Sequence, residues 1–289
     1  MYFSSLQKQL PRIRGHLLTY LAQTSLLSTA EKRCRWKYLT GTLYTNKRAR
    51  WYGHSKTDRC PVPGCSSRDS QGHAMGQCTG LLNARIAKHH AQGRIIAKAV
   101  STGNQGNGLE FCFTDLGKKE HWDAEGIPTI HTTQREIPEA LIDQHTWQQL
   151  GHRPDLLLWR PRTRDPTRPG HTRSPHIHIV EFKNCRDSDP TPVYSLACAQ
   201  HGALEALLKE RHPDAIVETD VILVGMAGTI YEDFTVAPLK RLGVQGSPLQ
   251  SVLQKLAVCA AQQMHKVWSY RRKLIQQGRG QAQTRMGVD

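Results

Sequence analysis

Arg153-Pro-Asp-Leu-Leu-Leu-Trp159 and His176-Ile-His-Ile-Val-Glu-Phe-Lys183 are the two runs on which the fold of this chain turns. Each is short, bounded by Pro, Gly or Ser, and lacks a helical period, so each predicts a buried strand. Successive side chains on a strand alternate faces, so Glu181 and Lys183 project together while Phe182 faces away. Pairing of the two strands brings Asp155 near that face, and two carboxylates and an ammonium then share one pocket. Carboxylate oxygens are the hard ligands Mg²⁺ prefers, and a neighbouring Lys can orient water for attack on phosphate. The bland alternative is a turn Asp beside a surface Glu–Lys pair, because three-residue matches are common. Against it stands the cost of placing charges at the end of a buried strand with neither partner nor metal.

Working outward, the 289 residues suffice for one large domain or two modest ones. No apolar run approaches the roughly 18 residues of a membrane span, and the N-terminus lacks a signal-peptide pattern. A soluble, intracellular protein with no membrane partner is expected. The formal net charge is +15, and residues 1–60 hold twelve Lys or Arg against Glu31 and Asp58. Such an excess points to a polyanion, nucleic acid before membrane; the alternative is a solubilising surface.

At the N-terminus, Leu6, Leu10, Ile13, Leu17, Leu18 and Leu21 share one helical face. The next segment interleaves Arg33, Arg35, Lys37, Lys47, Arg48 and Arg50 with Trp36, Tyr38, Tyr44, Trp51 and Tyr52. Basic groups neutralise phosphates and aromatic faces stack on bases, although aromatic core residues on a basic helix would look the same. Cys60, Cys65, His73 and Cys78 then follow as C-x4-C-x7-H-x4-C, with Pro61, Pro63 and Gly64 suited to the turn between the first two thiols. Three thiolates and one imidazole satisfy tetrahedral Zn²⁺ and leave no open position, so the site reads as structural.

Beyond the finger the pattern predicts a helix over 82–100 carrying Lys88, His89, His90 and Arg94, a strand over 109–114, and an amphipathic helix over 138–150. A helix over 194–211 follows, with Gln200 inside its apolar stripe as either a core amide or a site residue. A strand over 216–226 and a long helix from Leu249 come next, with Arg271, Arg272 and Lys273 expected at the helix end, where they suit its dipole. Residues 277–289 are Gly- and Gln-rich and are expected to be disordered.

The order of these parts resembles the C-terminal restriction-like endonuclease region of early-branching non-LTR retrotransposons. The resemblance is carried by the basic segment, the Cys-Cys-His-Cys finger, Lys88-His89-His90, Arg153-Pro-Asp155 and Glu181-Phe-Lys183. It extends to Glu181-Phe-Lys-Asn-Cys-Arg-Asp-Ser-Asp-Pro190 and Val224-Gly-Met-Ala-Gly-Thr-Ile-Tyr231. It implies an α/β fold of the PD-(D/E)-x-K kind, a mixed sheet flanked by helices, preceded by the zinc finger and a basic helical arm. The implied units are an arm at 1–55, a finger at 56–80, a nuclease domain at 81–276 and the tail.

The implied function is Mg²⁺- or Mn²⁺-dependent nicking of target DNA in the nucleus, priming reverse transcription, with DNA and element RNA as partners. No polymerase motif is present, so the resemblance implies an element-derived fragment or a degenerate copy lacking its reverse transcriptase; the alternative is a non-catalytic nucleic-acid-binding remnant. Asp155 and Glu181 map onto the acidic motif residues and metal ligands, and Lys183 onto the motif Lys. Lys88, His89, Arg94, Arg153 and Gln200 are secondary candidates, and His90 stands where the family has Asn or Asp. Arg160, Arg162, Arg164, Arg168 and Arg173 lie in an excursion that is either a DNA-contacting loop or an insertion.

Overall fold

A computed structural model describes residues 24–104, 111–114, 116, 122–128, 137, 139–150, 153–160, 163–164 and 172–286. The stripe at Leu6–Leu21, most of residues 115–136, and Arg162 and Arg168 lie outside the described residues. Helix α1 (Thr29–Leu39) starts in a capping box, in which the Glu31 N–H donates to Ser28 Oγ and the Ser28 N–H to Glu31 Oε2. A short α2 (Asn46–Trp51) follows, and α3 (Leu82–Gly103) leads into the sheet.

Strand β1 (Phe111–Thr114), helix α4 (Gln144–Gln149) and β2 (Leu156–Arg160) come next. A two-residue ribbon, β3 (Thr163–Arg164) with β4 (Thr172–Arg173), precedes the long β5 (His176–Cys185). Helices α5 (Thr191–Gln200) and α6 (Gly202–Arg211) carry the chain over to β6 (Ile216–Gly225). Helix α7 (Ala237–Arg241) and the 41-residue α8 (Gly246–Met286) close the fold.

The main sheet has the order β1-β2-β5-β6; β1–β2 and β2–β5 pair antiparallel, and β5–β6 parallel. The parallel pair needs a long crossover, which α5 and α6 supply. Alternation sorts the side chains. Leu156, Leu158, Val180, Phe182, Ile222 and Val224 join a core with α3, α7 and α8. On the opposite face Leu157, Ile177, Ile179 and Val217 pack with Trp147 of α4 and Leu204 and Leu208 of α6. With both faces covered, the strands read as near-continuous apolar runs, which is why they were legible in the sequence.

Three expectations need correction. The amphipathic helix over 138–150 contracts to Gln144–Gln149, whose N-terminus is set by the Asp143 side chain accepting the Thr146 N–H. The helix expected over 194–211 is two helices broken at His201, and Leu196 is 72% exposed, so its buried stripe is rotated from the expected one. The tail is helical to Met286, because the packed part of α8 supplies the nucleus from which the helix continues through Gly278 and Gly280. Residues 287–289 lie outside the described residues. No described helix is long and apolar enough to cross a membrane.

Arg271 therefore sits within α8 rather than at its end. It is 3% exposed, its guanidinium is 2.7 Å from Asp69 Oδ2, and it stacks over Trp268. Asp69 is fully buried and also accepts the Asn46 N–H at 2.6 Å. One carboxylate thus ties the finger, α2 and α8 together. Asp69→Ala leaves a buried guanidinium without its counter-charge and is expected to destabilise the protein by about 3–5 kcal/mol. Urea unfolding of the variant measures this, and a midpoint equal to wild type contradicts it.

Candidate functional site

Asp155 lies just before β2. Since Leu156 faces Val180 in the β2–β5 register, Asp155 falls opposite Glu181. Asp155 Oδ2 accepts the Phe182 N–H at 2.7 Å, and Oδ1 is 2.7 Å from His89 Nε2. The His89 ring stacks on Phe182 with centroids 5.3 Å apart, so α3 delivers the imidazole onto the strand end. Glu181 Oε1 is ion-paired with Lys183 Nζ, and Oε2 is 2.8 Å from His201 Nε2. Two carboxylates on adjacent strands are therefore each held by one imidazole. Glu181 is 2% exposed and His201 1%, whereas the His89 and Lys183 side chains are 27% and 33% exposed and form the open edge.

The electrostatics follow from this geometry. Burial works to raise the Asp155 carboxyl, but the His89 charge and hydrogen bond, the Phe182 N–H and the Lys183 ammonium together hold it below the usual range. Burial likewise opposes a charge on His89, and Asp155 with Glu181 outweighs it, so the imidazole is raised. Chemically, this edge can hold a hard cation through carboxylate oxygens and can present a Lys to an anion.

The other candidates are distributed differently. Lys88 points away from this edge and lies buried with Nζ 2.8 Å from Met226 Sδ; burial lowers its ammonium to about 8, with Asp187 opposing. Arg94 is half-buried on α3, five residues past His89 and so turned about 140° from it. Arg153 packs its guanidinium over the Trp147 ring at 5.8 Å. Gln200 is half-buried at the end of α5. Its neighbour His201, which sequence reasoning missed, is the residue that reaches Glu181. The signal was present: Ala197, His201, Leu204 and Leu208 are spaced 4-3-4, the true buried stripe.

The Glu181–Pro190 and Val224–Tyr231 segments, remote in sequence, interlock in space. Asp187 accepts the Ala227 N–H, the Thr229 N–H and the Thr229 hydroxyl. Gly225 is required at this contact, because a Cβ there would lie 2.3 Å from Asp187 Oδ1. This arrangement anchors the exit of β5, and hence Lys183, against the end of β6.

Cys60, Cys65, His73 and Cys78 converge with their donor atoms within 4.8 Å of one another. Cys60 Sγ is 3.8 Å from Cys78 Sγ, and Cys65 Sγ is 3.3 Å from His73 Nε2. The Cys65 N–H donates to Val62 O at 3.2 Å, closing a turn in which Gly64 has φ +74°, as the Pro-Gly composition required. This cluster can hold a metal such as zinc. It is no separate bead: Cys60, Val62, Met75, Cys78 and Leu81 share a core with Cys34 and Tyr38 of α1 and Met264 and Val267 of α8.

In the basic arm, Trp36, Tyr44, Trp51 and Tyr52 are exposed, Trp51 by 85%, so of the five aromatics only Tyr38 is a core residue. Arg33, Lys37 and Lys47 are exposed beside them. Arg35 is structural instead, with Nε 2.8 Å from Ala227 O. Arg48 is tied to Gly41 O and to the Tyr52 hydroxyl and ring, and Arg50 approaches Asp58 at 3.7 Å.

Fold and site together define an α/β protein with a mixed sheet, a carboxylate pair at a central strand end and a Cys₃His cluster. No family model matches the chain, and no curated protein matches it.

Proposed function

We propose that this chain is a metal-dependent DNA endonuclease that nicks duplex DNA, with Asp155, Glu181 and Lys183 as catalytic residues. In this reading a Zn²⁺-bound Cys₃His module and the basic arm hold the nucleic acid. The observation that carries it is the strand register, which sets Asp155 against Glu181 at the end of the central antiparallel pair. The resemblance assigns its acidic pair to that place, and the helix-flanked mixed sheet agrees with a PD-(D/E)-x-K architecture. The resemblance adds an element-derived setting to this reading: nicking in the nucleus, with DNA and element RNA as partners.

The donors suit Mg²⁺ or Mn²⁺ in kind. Two carboxylates with water completing the shell is a usual Mg²⁺ arrangement, and each carboxylate oxygen, bonded to one protein donor, keeps a further lone pair. When bound, a divalent cation supplies polarisation of the phosphate and a more acidic water. His89 and the Phe182 N–H fix the Asp155 carboxylate, and His201 fixes that of Glu181. Lys183, a third exposed, is the group able to turn from Glu181 towards phosphate or its attacking water.

One observation favours the non-catalytic remnant instead: all four carboxylate oxygens are engaged within the protein, and Glu181 is nearly closed to solvent. Supercoiled plasmid incubated with the protein decides between them. Nicking with Mg²⁺ or Mn²⁺ that EDTA abolishes supports the nuclease, and DNA binding without nicking under either metal puts the remnant in its place.

For the arm, DNA affinity is expected to fall steeply with salt, and Lys47→Ala to reduce the slope of log K against log salt by about 1. Trp51→Ala is expected to weaken single-strand binding by about 1–3 kcal/mol, the worth of one base stacked on an aromatic ring. Fluorescence anisotropy over a salt series measures both. A flat series would make the basic excess a solvated surface.

A further inference from the structure

We infer that His176, His178 and Glu218 form a second metal site, for a divalent first-row transition ion such as Zn²⁺, where β5 and β6 begin. His176 and His178 alternate on β5 and so share a face, and Glu218 sits directly opposite His178 in the parallel register. One donor atom from each lies within 4.8 Å of the others. Glu218 Oε2 is 3.2 Å from His176 Nε2 and 3.9 Å from His178 Nδ1. A tetrahedral ion about 2.1 Å from each donor needs donors about 3.4 Å apart, and these separations straddle that value. The mixture of imidazole and carboxylate selects zinc-like ions over Mg²⁺.

Two adjustments accompany loading. The rings now stack near-parallel, with centroids 4.2 Å apart and planes at 21°, and must tilt for their lone pairs to converge. His176, with a quarter of its side chain exposed, has the room to do so. His178 Nδ1 is 2.9 Å from Asp220 Oδ2, so the ion replaces the proton shared there. Asp220 is not left bare, because Arg241 holds its Oδ1 through Nε at 2.8 Å and a terminal nitrogen at 2.7 Å. Glu218 and Asp220 supply negative charge against Arg241 and against Arg160, the cross-strand neighbour of His176. Three protein donors leave a fourth position to water, which makes this ion more exchangeable than one in the closed Cys₃His cluster. The site is independent of the nuclease reading: His176 is five residues, about 16 Å, from Glu181 along β5, and on the other face of the sheet.

Co²⁺ titration of the metal-stripped 289-residue chain tests the inference. A thiolate-bound Co²⁺ shows a sulfur-to-metal charge-transfer band that a His₂Glu site lacks. With Mg²⁺ in excess to occupy the Asp155–Glu181 edge, wild type is expected to take up two equivalents of Co²⁺, only one of them with that band. The His176→Ala/Glu218→Gln double variant is expected to take up one, with the band unchanged. Should the double variant fold poorly, Glu218→Gln alone, at a side chain 46% exposed, carries the test. Uptake of only the charge-transfer equivalent by wild type, or of both by the folded variants, overturns the site.

Discussion

Asp155→Asn and Glu181→Gln are each expected to reduce Mg²⁺-dependent plasmid nicking by a factor on the order of 10² or more, the scale of losing one preorganised electrostatic group. The isosteric amides are chosen because Asp155 also caps the Phe182 N–H and Glu181 is bonded to buried His201, so truncation to Ala would confound chemistry with folding. Lys183→Ala is expected to fall as far, since it removes the cation on the open edge of the site. DNA affinity should change far less in all three, because this reading assigns most of the phosphate-backbone binding to the basic arm. Lys98→Ala, an exposed position on α3, is expected to nick within a few-fold of wild type. Equal nicking by Lys183→Ala and wild type would refute the catalytic role proposed for the β5 face.

Removing metal from the Cys₃His cluster is expected to cost at least about 4 kcal/mol and lower the melting midpoint by about 10 °C. The reason is the shared core. Cys60 and Cys78 are buried among residues of α1 and α8, so separating the thiolates loosens the arm and the long helix as well as the finger. Chelation during calorimetry, and Cys78→Ser without chelator, should give the same shift. Metal analysis of purified protein finding no zinc, or an unchanged midpoint after chelation, would remove the metal from this account. Because α3 begins just past Cys78 and carries His89 to Asp155, loss of the metal should also weaken nicking under the nuclease reading.

Composition and local pattern were enough for the strands and the cluster. Most positions of 156–160, 176–185 and 216–225 are buried, on both faces of the sheet, so each run reads as largely apolar. The cysteine spacing and its Pro-Gly turn likewise state their geometry locally, and the strand period set Glu181 beside Lys183. What local pattern could not decide was which distant groups meet those strands. The 4-3-4 stripe through His201 competes with the expected stripe through Gln200, and only the rotation of α5 and α6 against β5 and β6 put the imidazole, not the amide, on Glu181. The same holds for Lys88 and His89: adjacent on one helix, they project about 100° apart. The docking of α3 sends His89 to Asp155 and Lys88 to Met226. Arg271 read as a helix-end charge and is instead the buried partner of Asp69, two hundred and two residues away. A sequence states each side chain's chemistry and period. The partner that satisfies a buried charge is set by packing between elements, and that is decided only when the chain is folded.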